Sequence, residues 1–448
     1  MNAERKRNTT DMKKSLLLFL CLIFLLSGCA VPALPPLPSA ATPEPTAAPT
    51  PEPTPEPTPE PTPEPTPVPT PEPPAEQLAF TLDVDDRAAK LLTDETYQTD
   101  YTFPAGTAIT LTADRPIGSL YVIFGTYPGE WTLESGGESF VFGRNGFLHE
   151  YVKNPRPDTT VTIVLPEEEI TVCDLYAFTE GYPPSFVQTW QVLDEPADIL
   201  AFSTHYDDEL LFFGGMLPYY SAVRGLRVQV VYMTSNYLAK VPRNYYLRPH
   251  EALNGLWECG IRYYPVTNEV PDYLGVDLEH LWQAQQQYGE DQFCEFQTEM
   301  IRRFKPLVVV TQAEDGEYGH GAHILTALSV ERAVDAAGDA SQFPDSAEQY
   351  GTWNTPKTYL HKYGDQDAIT ILNYEEPSDA LGGRTPFQVA QDAYRLHLTQ
   401  QIWTAFKVYG YGHPQDSHRF GLFRTLVGPD EAKNDLMEHV SRELFPAE

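Results

Sequence analysis

Short stretches of alternating apolar and polar residues follow one another from residue 78 to about residue 190. They read AITLTAD, SLYVIFG, WTLES, SFVFG and TVTIVLP, and residues that favour turns (Gly, Pro and Asp) separate them. Several short stretches rich in β-branched and aromatic residues, at regular spacing, are typical of an all-β sandwich. We therefore predict a small all-β sandwich domain over residues 78–192.

The hydrophobic pattern changes at Asp198. Three continuous apolar stretches, DILAFST, RVQVVYMT and PLVVVTQ, alternate with the helical patterns ELLFFGGMLPYYSAVRG and RPHEALNGLWECG. This alternation predicts an α/β domain over residues 193–448, with a Rossmann-like, mostly parallel sheet and helices on both faces. Functional sites of such sheets lie beyond the carboxyl ends of the strands, so we expect His205, Thr234 and the loop after Gln312 to converge.

The N-terminus has the pattern of an export signal. Residues 1–28 carry clustered Lys and Arg, then LLLFLCLIFLL, and then LSGC, which ends at Cys29. LSGC resembles the bacterial lipobox, and the resemblance implies cleavage before Cys29 and lipidation of its thiol. An uncleaved membrane anchor is the alternative. We expect a protein that is lipid-anchored to the extracellular face of the bacterial membrane.

A proline-rich segment separates this signal from the first domain. From Thr42 to Glu72 the chain repeats TPEP, and proline fixes φ and removes a hydrogen-bond donor. Residues 29–77 are therefore expected to form a disordered linker that is extended as polyproline II, at about 3.1 Å per residue.

Composition narrows the choice of partners. The formal net charge is −33, so we expect no nucleic acid partner, because a phosphate-binding face needs clustered Lys and Arg. The 5 cysteines are scattered without a CxxC spacing, which argues against a disulfide framework.

A histidine and three acids stand between the first α/β strand and the next helix. The stretch AFSTHYDDELLFFGG places His205, Asp207, Asp208 and Glu209 at the expected functional edge of the sheet. Asp207 or Asp208 can simply cap the helix by accepting its free N–H groups. A cap explains one acid only, so metal binding by His205 and a carboxylate is the second hypothesis.

The loop after the third strand holds further groups that a metal needs. QAEDGEYGHGAH places His320 and His323 three residues apart, among glycines that let the backbone bend tightly. A catalytic zinc commonly takes three protein ligands and keeps one position for water, and His205, Asp208 and His323 would make such a set. Spacing alone leaves a chance HxxH as the alternative.

Together these motifs resemble the LmbE/PIG-L family of metal-dependent N-acetylglucosaminyl deacetylases. HYDDE, followed by GG, is similar to the family pattern AHPDDE, and GEYGHGAH is similar to GxYGHPDH. RPHE at residues 248–251 and HLTQ at residues 397–400 resemble the family's R-x-x-E and H-x-T-Q. The likeness covers roughly residues 196–430.

The resemblance implies a role for each matching residue. It assigns zinc, or another divalent cation, to His205, Asp208 and His323. Asp207 becomes the general base that takes a proton from the attacking water. Tyr318 and His320 polarise the acyl oxygen, and Arg248 contacts the substrate.

Two positions depart from the family pattern. Tyr206 replaces a proline, and Gly321-Ala322 replaces Pro-Asp. The second change removes a carboxylate that would orient or charge His320, so we expect slower activity or a shifted pH dependence. Three nearby acids are candidates to replace that carboxylate: Glu314, Asp315 and Glu317.

The β-rich segment loosely resembles galactose-binding-like jelly rolls, which implies a carbohydrate-binding role. Its aromatic residues Trp131, Tyr127 and Phe147 are available to stack on sugars, although aromatic residues in a small sandwich more often fill the core.

The predicted function is zinc-dependent removal of the acetyl group from N-acetylated amino sugars of the N-acetylglucosamine type at the cell surface, with a saccharide or glycan as substrate. Two alternatives stay open. One is a non-catalytic carbohydrate-binding surface lipoprotein, because of the change at Ala322. The other is a metal amidohydrolase that acts on a non-sugar amide.

Overall fold

The structure, a computed structural model, describes residues 72–235, 242–268, 270, 291–364 and 369–447. The predicted export signal (residues 1–28), the lipidation site Cys29 and most of the predicted linker (29–77) lie outside the described residues. In the ranges that are described, no helix combines the length and the apolar character needed to cross a membrane.

The N-terminal part of the described chain, the β region (Gln77–Phe178), is an antiparallel sheet with eight described strands. The strands are β1 Gln77–Leu78, β2 Phe80–Leu82, β3 Tyr101–Phe103, β4 Ala108–Phe124, β5 Trp131–Ser135, β6 Glu138–Phe142, β7 His149–Val164 and β8 Ile170–Phe178. Their order is β1-β8-β4-β7-β5-β6, and β2 also pairs with β4 and β3 with β8. A short helix, α1 Asp86–Leu91, follows β2.

The long strands β4 and β7 organise the core of this region. They pair antiparallel, with an irregular register between Thr112 and Ile117. Ile109 and Leu111 on β4 are buried, whereas the residues between and beside them are more exposed. This alternation is what a strand with one buried face requires, because successive side chains point to opposite faces.

The three aromatic residues singled out in the sequence have different environments. Trp131 is 1% exposed, and its Nε1 donates a hydrogen bond to Glu150 Oε2 at 2.6 Å. Phe147 is also buried, whereas Tyr127 is 54% exposed. Trp131 and Phe147 are therefore core residues, and Tyr127 is accessible. The jelly-roll-like topology and the carbohydrate-binding role of residues 78–192 remain predictions.

The C-terminal part, the α/β region (Asp198–Phe445), contains a sheet with seven described strands. The strands are β9 Ile199–Ser203, β10 Val228–Tyr232, β11 Val266–Thr267, β12 Val308–Thr311, β13 Lys357–His361, β14 Ile369–Ile371 and β15 Arg419–Thr425. In the order β11-β10-β9-β12-β13-β15-β14, the first five strands are parallel, and β15 runs antiparallel to both of its neighbours, β13 and β14. The mostly parallel sheet predicted from the alternating pattern is therefore present.

Helices pack on both faces of this sheet. The described helices are α2 Asp208–Leu211, α3 Met216–Pro218, α4 Pro242–Glu258, α5 Gln292–Phe304, α6 Gly316–Gly319, α7 Gly321–Ala336, α8 Pro344–Tyr350 and α9 Pro386–Arg395, with a π-helical turn at Tyr219–Val223 and a 3-10 turn at Asp379–Leu381. Ile199 and Ala201 of β9 pack in one apolar cluster with α2, α4 and α9. Leu200 and Phe202, on the other face of β9, pack with α5 and α7.

The helix predicted for residues 209–225 is broken into three short pieces: α2, α3 and the π-helical turn. Gly214, between α2 and α3, has φ +43, which interrupts the helical conformation. Gly215 lies so close to Tyr374 that a Cβ would fall 2.5 Å from its ring. Close packing against neighbouring elements thus overrides a continuous helical pattern.

A buried histidine pair joins the β region to the α/β region. Nε2 of His149 on β7 lies 2.8 Å from Nδ1 of His250 on α4, and Nδ1 of His149 lies 2.8 Å from Gln188 Oε1. Because Gln188 Oε1 can only accept, Nδ1 of His149 donates to it. Burial lowers the pKa of both histidines and so favours neutral rings, in which Nε2 of His149 accepts from Nδ1 of His250. Burial lowers the pKa of His149 to about 4.

Acidification is expected to weaken this junction. The folded-state pKa of His149 lies below its ordinary value of 6.5, so the unfolded chain binds more protons between pH 6.5 and pH 4 and stability falls as the pH falls through that window. At about 1.4 kcal/mol per unit, the contribution of His149 is on the order of 3 kcal/mol. We expect denaturant unfolding of His149→Gln to lose less stability over this range than the wild type.

His439→Gln is the matched control, because the His439 side chain is 40% exposed. Its stability toward denaturant should fall with pH over the same range as much as that of the wild type. An unaltered pH dependence in His149→Gln would contradict this account of the junction.

Candidate functional site

Two loops far apart in sequence leave the same edge of the parallel sheet. β9 and β12 are hydrogen-bonded neighbours, with Val308 opposite Ile199. Thr204, directly after β9, donates its backbone N–H to Oε1 of Gln312, directly after β12, at 3.1 Å. The N–H of Thr234, after β10, donates to the Thr204 carbonyl at 3.1 Å. The predicted convergence of these three strand ends is therefore observed.

Three side chains that the sequence proposed as metal ligands meet at this edge. Nδ1 of His205 lies 2.8 Å from Oδ2 of Asp208 and 3.1 Å from Nε2 of His323. Nε2 of His323 also lies 3.1 Å from Asp208 Oδ2. The three donor atoms thus form a triangle in which every side is close to 3 Å.

The chemistry of this donor set fits a divalent cation. Ligand atoms held at about 2.0–2.2 Å in a tetrahedral arrangement lie roughly 3.3–3.6 Å from one another, slightly more than the sides of this triangle. Imidazole nitrogen and carboxylate oxygen are the ligands that catalytic zinc commonly takes. A ring nitrogen of His320 also lies within 4.8 Å of ring nitrogens of His205 and His323. A small widening would therefore accommodate a cation among the three donors.

Hydrogen bonds shape the loop that carries His205 and Asp208. Asp208 Oδ2 accepts the backbone N–H of His205 at 2.8 Å, and Glu209 Oε2 accepts the backbone N–H of Asp207 at 2.9 Å. Asp207 has φ +128, which costs a non-glycine residue on the order of 1–3 kcal/mol. The side chain of Asp207 makes no hydrogen bond that caps α2. The capping hypothesis for Asp207 is therefore wrong, and its carboxylate instead contacts Arg248.

Asp207 is paired with Arg248, the residue that the sequence proposed as a substrate contact. Nη2 of Arg248 lies 2.9 Å from Asp207 Oδ1 and also donates to the Tyr206 carbonyl. Burial raises the pKa of Asp207 to about 7, although the positive charge of Arg248 opposes the rise. The contact with Asp207 gives Arg248 a structural part in the site, and its contact with substrate remains a prediction.

Glu317 orients His323 from the side opposite the triangle. Its Oε2 lies 2.8 Å from Nδ1 of His323, and its Oε1 lies 3.1 Å from Nδ1 of His361 and accepts the N–H of Ala313 at 2.8 Å. A carboxylate at Nδ1 keeps the proton on that nitrogen and leaves Nε2 for a cation. Glu317 has φ +59, and these hydrogen bonds offset the conformational free energy that a positive φ costs a non-glycine residue.

The charges in this cluster stabilise one another. Burial alone would raise the pKa of Asp208, but His323 and His205 hold it well below its usual range. Burial alone would lower the pKa of His323, but Asp208 and Glu317 raise it to about 9. A cation that binds Nε2 must therefore displace a proton from His323.

His320 and Tyr318 border the triangle. The ring centroid of His320 lies 4.9 Å from that of His205 and 4.7 Å from that of His323, and the Tyr318 ring lies 5.3 Å from the His323 ring. The backbone N–H of Ala322 donates to Nδ1 of His320 at 3.2 Å. A neutral His320 ring therefore carries its proton on Nε2.

The change at Ala322 removes the carboxylate that the family pattern places near His320, and the contact with the Ala322 N–H is one that orients this ring in its place. Of the three candidate acids, Glu317 binds His323 and His361, and the backbone N–H at Ala322 orients His320 instead. Glu314 and Asp315 are exposed.

The contacts of three supporting residues were not predicted from the sequence: Gln312, Glu209 and His361. Gln312 joins the two loops through Thr204, and Glu209 holds the Asp207 backbone. Glu209 lies within HYDDE, so it was visible as an acid, but its contact with a backbone N–H was not. His361 is at the end of β13, and nothing in its local sequence links it to Glu317.

A comparison with known families matches the part of the chain that contains the candidate site. Residues 200–334 match the family model described as PIG-L, GlcNAc-PI de-N-acetylase. That range contains both loops of the triangle.

Curated relatives share the same part of the chain. The 1D-myo-inositol 2-acetamido-2-deoxy-alpha-D-glucopyranoside deacetylase of Geodermatophilus obscurus is 39% identical over 126 residues, which cover 22% of this chain and 42% of the relative. The protein of the same name from Thermomonospora curvata is 31% identical over 123 residues, covering 23% of this chain and 41% of the relative. The chain therefore spans less than half the length of these relatives. Their names confirm the predicted likeness of the α/β region to N-deacetylases.

Among solved structures, the N,N'-diacetylchitobiose deacetylase of Pyrococcus horikoshii matches at 18% identity and a TM-score of 0.33. The match covers 46% of this chain and 73% of that chain.

Replacing Glu317 tests how His323 is oriented. Glu317→Gln removes the negative charge from Nδ1 of His323, and loss of such a partner typically weakens metal binding about 10–100-fold. We expect a loss of that size in zinc affinity, measured by competition with a chromophoric chelator. Glu314→Gln is the control, because Glu314 is exposed and in the same loop. Equal zinc affinity in the Glu317→Gln and Glu314→Gln variants would show that Glu317 does not support the site.

Proposed function

We propose that this protein is a zinc-dependent hydrolase that removes the acetyl group from N-acetylglucosamine-type amino sugars at the outer surface of a bacterium. The observation that carries the proposal is the triangle of His205, Asp208 and His323, with which the Asp207 carboxylate interacts electrostatically. The family match and the names of the curated relatives support the reaction class.

The residues that would hold the cation are His205, Asp208 and His323. A bound zinc ion supplies a Lewis acid that lowers the pKa of water and polarises a carbonyl oxygen. Glu317 supports this arrangement because its carboxylate directs Nε2 of His323 toward the other two donors.

Asp207 is the group best placed to act as general base. Its Oδ1 is 2.9 Å from Nη2 of Arg248, whose positive charge opposes the rise in pKa that burial causes. A neighbouring cation would lower this pKa and favour the ionised form. Asp207 would accept the proton of the attacking water and then deliver it to the departing amine, so that acetate and a free amino sugar are released.

His320 and Tyr318 are the candidate donors to the acyl oxygen. The Ala322 N–H holds Nδ1 of His320, so that the neutral ring can donate from Nε2. Tyr318 is 40% exposed, which leaves it accessible to a substrate. Donors of this kind are worth about 3–4 kcal/mol each when they meet the negative charge that develops on a carbonyl oxygen.

The substrate class and the location rest on sequence. The names of the matching family and relatives contain N-acetylated glucosamine, and we propose an N-acetylated saccharide or glycan as substrate. The export signal, Cys29 and the proline-rich linker support a lipid anchor on the extracellular face of the membrane.

Acetate release is the direct test of the proposed function. Zinc-loaded protein is expected to release acetate from N-acetylglucosamine oligomers, and chelator-treated protein is not. A parallel screen against N-acetyl amino acids separates sugar deacetylation from hydrolysis of a non-sugar amide. Binding of oligomers without any acetate release would favour the non-catalytic carbohydrate-binding alternative.

The roles of the ligands and the base are separable by mutation. His205→Ala and His323→Ala are each expected to abolish zinc retention, because each removes a ring nitrogen from the triangle. Asp207→Asn is expected to retain zinc and to lower kcat by about 10²–10⁴-fold, the usual contribution of a general base. Elemental analysis measures the zinc content, and acetate-release kinetics on the same preparations measure kcat. Equal zinc content and equal kcat in all three variants would refute the assignment.

A further inference from the structure

A cavity of about 450 Å³ lies between the β region and the α/β region. The turn after β4 lines one side through Tyr127, and α4 lines another through Tyr246. Tyr206 of the HYDDE loop and Tyr264 also contribute to its walls. Its volume is within the range of about 300–1,000 Å³ that is usual for small-molecule binding sites.

The four tyrosines differ in their exposure. Tyr206 is buried, and its hydroxyl lies 3.0 Å from Thr267 Oγ1, which fixes its ring. Tyr127 and Tyr246 are 54% and 52% exposed, one from each region of the protein. The cavity thus has a rigid inner wall and two accessible aromatic rings that a ligand can contact.

The walls of the cavity favour a neutral and amphipathic ligand. Of the described residues that line it, none is Asp, Glu, Lys, Arg or His, and hydroxyl groups from Ser235, Thr126 and Thr267 stand among the aromatic and aliphatic side chains. A pyranose ring has apolar C–H faces that stack on aromatic rings and hydroxyls that bond to such polar groups. A neutral sugar fits these walls, whereas a phosphorylated or acidic ligand would find no charged partner among them.

Two wall residues of the cavity are sequence neighbours of candidate catalytic residues. Tyr206 lies between His205 and Asp207 in sequence, and its side chain forms part of the cavity wall. Pro249, another wall residue, directly follows Arg248, which binds the Asp207 carboxylate. The position of Tyr206 is also one at which the chain departs from the proline of the family pattern that it resembles.

A second cavity extends the first along the junction. It has a volume of about 320 Å³ and shares Tyr127, Tyr264, Pro265 and Thr267 with the first cavity. Two cavities that share a wall suit a linear ligand with more than one unit.

From these features we infer that the cavity is a subsite for the sugar residue next to the one that loses its acetyl group. Its role in turnover rests on the proposed deacetylase function. The substrate is then an oligomer of N-acetylated sugars, and the β region takes part in its recognition through Tyr127.

Equilibrium binding tests the subsite without relying on turnover. The probe is the trimer of N-acetylglucosamine, titrated into the zinc-loaded full chain with Asp207→Asn as background. Adding Tyr127→Ala or Tyr246→Ala is expected to raise the dissociation constant about tenfold, since each removes one stacking ring. Tyr182→Ala is the control, because Tyr182 is 61% exposed and is not a lining residue of either cavity.

Kinetics on the chain with Asp207 intact tests the link to catalysis. We expect Tyr127→Ala to lower the ratio of kcat/KM for the trimer to that for the monomer about tenfold, and Tyr182→Ala to preserve the ratio. If the unsubstituted chain releases no acetate, the proposed function fails and the binding titration alone decides the subsite. Two results would overturn the inference. One is that adding Tyr127→Ala and adding Tyr246→Ala both leave the trimer affinity of the Asp207→Asn chain unchanged. The other is that the Asp207→Asn chain does not bind the trimer. Circular dichroism of each variant establishes that it is folded.

Discussion

The hydrogen bonding of β9 to β12 is the constraint on which the candidate site depends. These parallel neighbours place Thr204 and Gln312 side by side, and the loops that follow carry His205 and His323 to one point. A strand order that separated β9 from β12 would move the two histidines apart by about 5 Å for each intervening strand. The site is therefore a property of sheet topology as well as of local motifs.

Around that point, the two adjacent acids have different partners. Asp208 faces His205 and His323, whereas Asp207 faces Arg248. Asp207, which separates His205 and Tyr206 from Asp208, has an unusual backbone with φ +128. The surrounding hydrogen bonds offset the conformational free energy of that backbone, and strain of this kind is common at functional sites.

The sequence predicted much of the scaffold and the residues that meet at the candidate site, because both follow from local patterns. Apolar stretches alternating with helical patterns predicted the parallel sheet, and His205, Asp208 and His323 stand in two recognisable motifs. The role of Glu317 was not predictable, since a left-handed backbone turns its side chain toward His323 and His361 on different elements. The cavity beside Tyr206 was equally hidden, because it forms only where the β region and the α/β region meet.

X-ray absorption spectroscopy at the zinc edge, on the purified full chain, is the most direct test of the central claim that His205, Asp208 and His323 jointly hold one cation. The account predicts a single zinc per chain with two imidazole nitrogens and carboxylate oxygen at about 2.0–2.2 Å. It also predicts that the imidazole signal falls to one ring in His323→Ala after zinc is added at high concentration. A zinc environment made of water alone, or one that is identical in wild type and His323→Ala, would contradict it.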